Sequence, residues 1–251
     1  MIQRLFITIL AAGMGKRMES DIPKVLHKIN NKPMLVHIIE QTKLLSPHKI
    51  IIVVGKYHNM IKNELTQYID VSNLIFIIQE SPNGTGGAVR STIDYLKNNF
   101  DDNYKNINLI LNGDTPLIKS NTLSEIYNYF IINSHKLLIT TIFLDNPTGN
   151  GRIITQNNEF LRITEEKDAT DDEKKIKQVN VGIYICDIEI LIGLISKITN
   201  DNKQNEYYLT DIVKIYKSMY IDQIGMFSLP NEKSREITNV NTKGDLIRID
   251  N

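Results

Sequence analysis

One cysteine in 251 residues leaves no material for a disulfide framework or a cysteine-rich metal site. No sign of charge is in excess: Lys plus Arg and Asp plus Glu are 29 each, so no overall field draws the chain to nucleic acid or to an acidic membrane surface. Any recognition of an anion must be local, built from a few placed side chains and backbone N–H groups. No apolar run is long enough to cross a membrane. Residues 1–12 have the outline of a short signal peptide, with Arg4, an apolar stretch and small residues. They lead straight into a glycine turn and read better as a buried first strand. Asn83-Gly84-Thr85 is formally a glycosylation sequon, which matters only on a secreted chain. Repeats and low-complexity linkers are missing too. The lone Cys186 sits in the apolar run 181–186 and reads as an inert buried thiol, in keeping with a reducing, cytoplasmic setting.

What is present is a β–α alternation in a chain long enough for one domain, 1–251, with a full core. The runs 5–11, 50–54, 74–78 and 107–112 are short, β-branched and almost continuously apolar, as parallel strands covered on both faces must be. Between them, 33–46 has Pro33 in a first-turn position and a helical apolar stripe. Residues 87–97 follow glycines and predict a helix that buries Ala88, Ile93 and Leu96. The 122–132 segment opens on Thr122…Glu125 at capping-box spacing. Further strands are expected near 136–144, 151–155 and 180–186, and helices near 187–198 and 209–219. The charged stretch 164–178 reads as a solvated loop with a short helix. The expected class is α/β, a Rossmann-like doubly wound sheet, mixed but mainly parallel.

In such a sheet, ligands bind beyond the carboxyl ends of the strands, and three motifs fall there. Leu10-Ala11-Ala12-Gly13-Met14-Gly15-Lys16-Arg17-Met18 follows the first strand, with Pro23-Lys24-Val25-Leu26-His27 close behind. Its glycines uncover backbone N–H groups for anionic oxygens, while Arg17 and Lys24 bring positive charge to the same place; together they point to a triphosphate. Glycines alone would not distinguish this from any strand-to-helix turn. Gly84-Thr85-Gly86-Gly87 runs into a helix N-terminus, which favours a negative or polar ligand. Asn112-Gly113-Asp114 puts a carboxylate at the same rim. Beside a phosphate loop that carboxylate is repulsive unless a cation lies between, so Asp114 reads as a Mg²⁺ ligand, with a turn-capping aspartate as the alternative.

From Leu10 to about Asn241 the chain resembles the uridylyltransferase domain of the bifunctional bacterial N-acetylglucosamine-1-phosphate uridylyltransferase/glucosamine-1-phosphate acetyltransferases. The resemblance is carried by LAAGMGKRM (10–18), PKVLH (23–27), Gln79 with GTGGA (84–88), GD-x-PL (113–117), NPTGNGRI (146–153), EEKDAT (165–170), N-x-G (180–182), EYYLTD (206–211) and NVNT (239–242). It implies the glycosyltransferase-A-like fold of sugar nucleotidylyltransferases, with a nucleotide-binding lobe over 1–117 and a sugar-binding lobe over 118–251. The implied reaction joins UTP and N-acetyl-α-D-glucosamine 1-phosphate into UDP-N-acetylglucosamine and pyrophosphate, with Mg²⁺. Carried over by position, Leu10, Ala11, Ala12, Gly13, Gln79, Gly84 and Thr85 would hold uracil and ribose, and Arg17 and Lys24 the phosphates. Asp114 and Asn241 would hold Mg²⁺; Gly151, Glu165, Asn180, Tyr208 and Thr210 the sugar. Lys167 would have a phosphate-side role. Asn112, Asn150 and Glu166 depart from the family's tyrosine, aromatic and histidine, and Ser81-Pro82-Asn83 is one residue longer than usual.

Each of these residues has a structural alternative: Asn180 could satisfy backbone groups, Tyr207 and Tyr208 could be core aromatics, Glu206 and Asp211 could serve a helix dipole. The family's β-helix acetyltransferase and trimer interface would follow residue 251, so a monomer or small homo-oligomer is expected, with no nucleic-acid or membrane partner. Rival readings are the same transfer to another sugar 1-phosphate or from another nucleotide, and a catalytically silent UDP-sugar-binding regulatory protein. A dinucleotide oxidoreductase is disfavoured because Met18 stands where the third glycine should be and Val54-Gly55-Lys56 replaces a ribose-binding acid. A Walker loop is excluded because Arg17 follows Gly15-Lys16 and position 10 is not glycine.

Overall fold

Alternate side chains of the first strand face two different cores. The computed structural model describes residues 2–13, 15–156, 159–220 and 224–250; Met14 of the glycine turn lies outside the described residues. In chain order it contains β1 (Ile2–Leu10), β2 (Lys28–Ile29), β3 (Lys32–Pro33), α1 (Met34–Lys43), β4 (Lys49–Val54), α2 (His58–Leu65) and β5 (Leu74–Ile78). Then come α3 (Thr85–Arg90), α4 (Ile93–Asn98), β6 (Tyr104–Asn112), α5 (Ser120–Ile132), β7 (Leu137–Phe143), β8 (Arg152–Gln156) and β9 (Glu159–Thr164). The chain closes with β10 (Gln178–Asp187), α6 (Ile188–Ile195), α7 (Asp211–Met219), β11 (Gly225–Leu229) and α8 (Lys243–Asp250).

Among the described residues one nine-stranded sheet runs β11-β7-β10-β6-β1-β4-β5, with the β8–β9 hairpin joined to β10 through β8. Strands β6, β1, β4 and β5 are parallel, while β10 is antiparallel to both β6 and β7. The mixed, mainly parallel expectation holds. Leu5, Ile7 and Ile9 of β1 pack with Leu35, Ile38 and Ile39 of α1 and Leu123, Ile126 and Phe130 of α5. Phe6 points the other way, into a core with Val89 and Leu96, Leu191 and Leu194 of α6, and Ile212 and Tyr216 of α7. Cys186 is in that second core, and burial pushes its thiol well above the ordinary value.

A third, small cluster joins Met18, Ile29, Met34, Val240 and Ile249. It anchors the turn that closes the glycine loop to the segment just before Asn241. The chain leaves β1, moves outward through β4 and β5, and returns to β6 on the opposite side of β1. The switch point therefore lies between β1 and β6, where ligands of open α/β sheets bind.

Three expectations are corrected. The helix expected over 87–97 is two short ones, α3 and α4, interrupted at Ser91-Thr92, whose hydroxyls donate back to Ala88 O and Val89 O. The Thr122…Glu125 capping box does not form. Helix α5 starts at Ser120, and Thr122 Oγ1 donates at 2.6 Å to Glu236, which also accepts from Lys119 N at 3.3 Å, while Ser120 N donates to Gln41 Oε1 at 2.9 Å. Side chains distant in sequence thus take the orphan N–H groups. Strands β2, β3, β9 and β11 and helices α2 and α8 are additional to the predicted elements: β2 and β3 are two residues each, and β11 is an edge strand of only five.

Glu236→Ala should remove this cap and lower stability by about 1–2 kcal/mol, read as a urea midpoint shift at unchanged slope. An unshifted midpoint would show that the cap contributes nothing.

Candidate active site

β1 and β6 pair in parallel with Leu10 opposite Asn112, and Gly113 N donates to Leu10 O at 2.8 Å. The glycine loop and Asp114 therefore leave the sheet side by side. The loop passes so close to Lys24 that a Cβ at Gly15, whose φ is +59°, would lie 2.6 Å from Lys24 Cβ. Only glycine fits both the conformation and the contact. Lys24 Nζ reaches Asp114 Oδ2 in a short ion pair and also donates to Asn241 Oδ1 at 3.2 Å. Arg17 donates to the same Asn241 oxygen at 2.9 Å. Asn241 is brought here by its neighbour, since Val240 N donates to Asp114 O at 2.9 Å and Val240 is fully buried. A Thr242/Asp245 capping box at the start of α8 then holds Asn241 N–H.

All four residues expected at the charged centre thus meet, although 224 positions separate Arg17 from Asn241. The other oxygen of Asp114, Oδ1, is buried with no hydrogen-bond partner. One carboxylate and one amide oxygen suit a hard cation such as Mg²⁺, which keeps waters and takes further oxygens from phosphates. Among the described residues no group of three or more His, Cys, Asp or Glu is placed to hold a metal, so the chain alone does not form a cage.

Two cavities open at this rim. The larger, about 460 Å³, is lined by Leu10, Ala12, Gly13, Gly15, Lys24, Gln79, Gly84, Thr85 and Asp114. Ala11 is buried beneath it, its N–H donating to Val53 O. Gln79 is also nearly buried, with Nε2 donating to Asn83 Oδ1 at 2.9 Å and Gly84 O at 3.2 Å. The smaller, about 160 Å³, is lined by Gly151, Glu165, Asn180 and Thr210 with Asn150, Tyr184 and Asn239. Thr85 and Asn112 line both, so the cavities meet there.

The segment 206–210 is stitched across this seam. Gly86 N donates to Tyr207 O, Tyr207 N to Asn83 O, and Leu209 N to Thr85 Oγ1, at 2.7, 2.7 and 3.0 Å. Gly84 has φ +101°, and a Cβ there would sit 2.6 Å from Tyr207 O. The glycines of GTGG serve this backbone approach, and Arg90 stacks on the Tyr207 ring at 4.2 Å.

Not every expected residue faces a cavity. Tyr208 is buried beside the smaller one with its hydroxyl accepting from Gln204 Nε2 at 2.8 Å, and burial lifts its phenol to about 12. Asn180 lines the cavity but spends its amide internally, donating to Tyr184 OH at 2.7 Å and accepting from Gly182 N at 3.2 Å. Lys167 is exposed and lines neither cavity. Glu206, considered as a dipole partner of the following helix, instead lines the larger cavity; Asp211 does begin α7. Asn112, Val25, Pro82, Leu209 and Asn239 also line the cavities without having been singled out as site residues. Each had a local signal: Asn112 adjoins Gly113-Asp114, Pro82 lies in the lengthened 81–83 run, and Val25, Leu209 and Asn239 lie within PKVLH, EYYLTD and NVNT.

Glu165 accepts from Thr210 Oγ1 at 3.0 Å, yet its carboxyl lies above the ordinary value. Burial is the main cause; the Thr210 hydrogen bond opposes it, and Asp211, Asp168 and Glu206 add repulsion. The folded protein therefore binds this proton more tightly than the unfolded chain, and stability falls as pH rises from below the unfolded value through the folded one.

The chain matches the family described as Nucleotidyl transferase over residues 7–227. It is 50% identical over 244 residues to a "probable UDP-N-acetylglucosamine pyrophosphorylase" of Acanthamoeba polyphaga mimivirus, covering 97% of this chain and 94% of that one. It is 41% identical over 246 residues to the bifunctional protein GlmU of Thermoanaerobacter pseudethanolicus, covering 98% of this chain but 50% of that protein. Its fold resembles the crystal structure of a "putative glucose-1-phosphate thymidylyltransferase" of Bacillus anthracis in complex with sucrose, at a TM-score of 0.72 and 18% identity over 98% of this chain and 94% of that one.

Glu165→Gln should raise the melting temperature at pH 7, and the gain should fade as pH drops below about 4, where both states become protonated. Equal melting curves for the two proteins at pH 7 would show that the buried charge costs nothing.

Proposed function

The chain belongs to the nucleotidyl transferase family, and from that premise we propose that it joins UTP and N-acetyl-α-D-glucosamine 1-phosphate into UDP-N-acetylglucosamine and pyrophosphate. The observation that carries the reading is the charged centre at the seam of two cavities: Lys24 and Arg17 on one side, Asp114 and Asn241 on the other. It is supported by the 50% identity to a relative described as a pyrophosphorylase of this nucleotide sugar.

In this reading residues 1–117 supply most of the nucleotide site. Leu10, Ala12, Gly13, Gln79, Gly84 and Thr85 hold uracil and ribose in the larger cavity, with Ala11 shaping its floor. Residues 118–251 supply the sugar site through Gly151, Glu165, Asn180 and Thr210, with Tyr208 supporting them from behind. The sugar phosphate oxygen is already an anion at neutral pH, so no general base is required. It attacks the α-phosphorus of UTP as the bond to the bridging oxygen of the β-phosphate breaks, and that electron pair leaves with pyrophosphate. The difficulty is electrostatic, because two polyanions must approach.

Lys24 and Arg17 meet that difficulty with fixed positive charge. Lys24 is held by Asp114 and both cations by Asn241, which fixes their charge at the seam of the two cavities. Asp114 and Asn241 would hold Mg²⁺, which when bound offsets negative charge between the two phosphates. A cytoplasmic setting, where UTP is made and kept, is part of this reading. No helix among the described residues is long and apolar enough to cross a membrane.

The reading is tested by pyrophosphate release from a panel of nucleoside triphosphates and sugar 1-phosphates. The highest kcat/KM is expected for UTP with N-acetylglucosamine 1-phosphate. A clear preference for another pair would reassign the substrate, and UDP-sugar binding without pyrophosphate release would make the chain a binding protein. Lys24→Ala should lower kcat by roughly a hundredfold or more and leave the KM for the sugar phosphate within a few-fold. Turnover near that of the unmodified protein would remove Lys24 from the transfer step. Asp114→Asn should abolish the Mg²⁺-dependent activity, and an unchanged Mg²⁺ titration curve would exclude Asp114 as a metal ligand.

A further inference from the structure

We propose that Arg152 and Glu166 are positioning residues that hold the two walls of the smaller cavity at the separation the sugar requires; this rests on reading that cavity as the sugar site. Arg152 opens β8 and is the bulkiest fully buried side chain, with 1% of its surface exposed. A guanidinium withdrawn from water to this degree needs partners for its whole fork of donors. Arg152 finds them in one small region. It pairs with Glu166 Oε2 at 2.7 Å, donates through Nη1 to Asn150 O, and reaches Lys174 O through Nε at 3.4 Å and Nη2 at 3.3 Å. Glu166 Oε2 also accepts from Gly149 N at 3.0 Å.

The placement of the pair gives it a role beyond packing. Neither residue lines the cavity, but each directly follows one that does: Arg152 follows Gly151, and Glu166 follows Glu165. The ion pair and the Gly149 hydrogen bond therefore tie the loop 149–151, all three residues of which line the cavity, to the turn that carries Glu165. The loop is fixed on its other side by Asn180 N donating to Gly151 O at 2.8 Å. Glu165 is fixed in turn by Thr210 Oγ1. The β8–β9 ladder, with Arg152 opposite Thr164, joins the two walls at their base, and the Arg152–Glu166 pair carries that link past the end of the ladder to the loop at Gly149 and the turn after Glu165. A lysine could keep the charge but could not bond Glu166, Asn150 O and Lys174 O together, because its ammonium lacks the planar fork. A rigid hexose in so small a space tolerates little displacement of its contacts.

Glu166→Gln and Arg152→Lys test this in steady-state kinetics combined with amide hydrogen exchange. Each variant is expected to raise the KM for N-acetylglucosamine 1-phosphate by roughly tenfold or more, with the KM for UTP within about twofold and kcat within a few-fold. Exchange should quicken in 147–152 and stay unchanged in β1 and β6, and Glu166→Asp, which keeps the charge, should recover part of the KM. Glu166 is partly exposed, so its variants report even if Arg152→Lys fails to fold. An unchanged sugar-phosphate KM in Glu166→Gln, or a purely thermal loss of stability with both KM values intact, would reduce the pair to a structural salt bridge and overturn the proposal. If the unmodified protein turns over no sugar phosphate, the sugar-site reading fails, and unaltered exchange in 147–152 of Glu166→Gln would overturn the clamp as well.

Discussion

The parallel pairing of β1 with β6 is the constraint on which the site depends. It sets Leu10 opposite Asn112, so a loop that begins at residue 11 and a carboxylate at residue 114 emerge at one point of the sheet. The pairing is available because β4 and β5 lie on the far side of β1, leaving its other edge to β6. Strands buried on both faces are held in register by side chains packed above and below.

At that rim the chain keeps charge in reserve. Lys24 and Asp114 are both largely shielded from solvent, a position in which an ion pair gains less than its Coulomb attraction suggests because both groups lose hydration. Asp114 Oδ1 is buried with no hydrogen-bond partner, and a buried acceptor left unpaired is costly. Glu165 follows the same pattern in the smaller cavity, where burial and three neighbouring carboxylates raise the energy of its charged form. Groups that are incompletely satisfied without ligand are those a polar or charged ligand can stabilise most.

The two cavities are joined by backbone as well as by side chains. Residues 206–209 lie against 83–86 through three hydrogen bonds, and the glycines at 84 and 86 permit the approach. Thr85 both lines the two cavities and accepts from Leu209 N, so a ligand in one cavity contacts the same segment that shapes the other. The Arg152–Glu166 pair completes the far wall by the same means, a buried charge that gathers several loop carbonyls and N–H groups at once.

Much of the fold was readable from the residues, since apolar runs such as 50–54 and 107–112 are dictated by burial on both sides of the sheet. That the glycine loop, Lys24 and Asp114 converge on one rim was readable too, because motifs at the carboxyl ends of neighbouring parallel strands leave the sheet side by side. Other features had no local signature. The start of α5 is decided by Glu236 and Gln41, against the capping pattern in its own sequence. Tyr208 carries the same motif signal as Thr210 but turns its hydroxyl toward Gln204 and lies behind the cavity. Asn241 lies in a polar tail, and only its resemblance to a family motif singled it out. By itself the sequence determined the alternation of elements and the chemistry available at each strand end, because periodicity and residue type act locally. Which distant groups share one site, Asn241 with Arg17 and Glu166 with Arg152, was decided by the tertiary structure, because buried polar groups must find partners wherever the packed chain brings them.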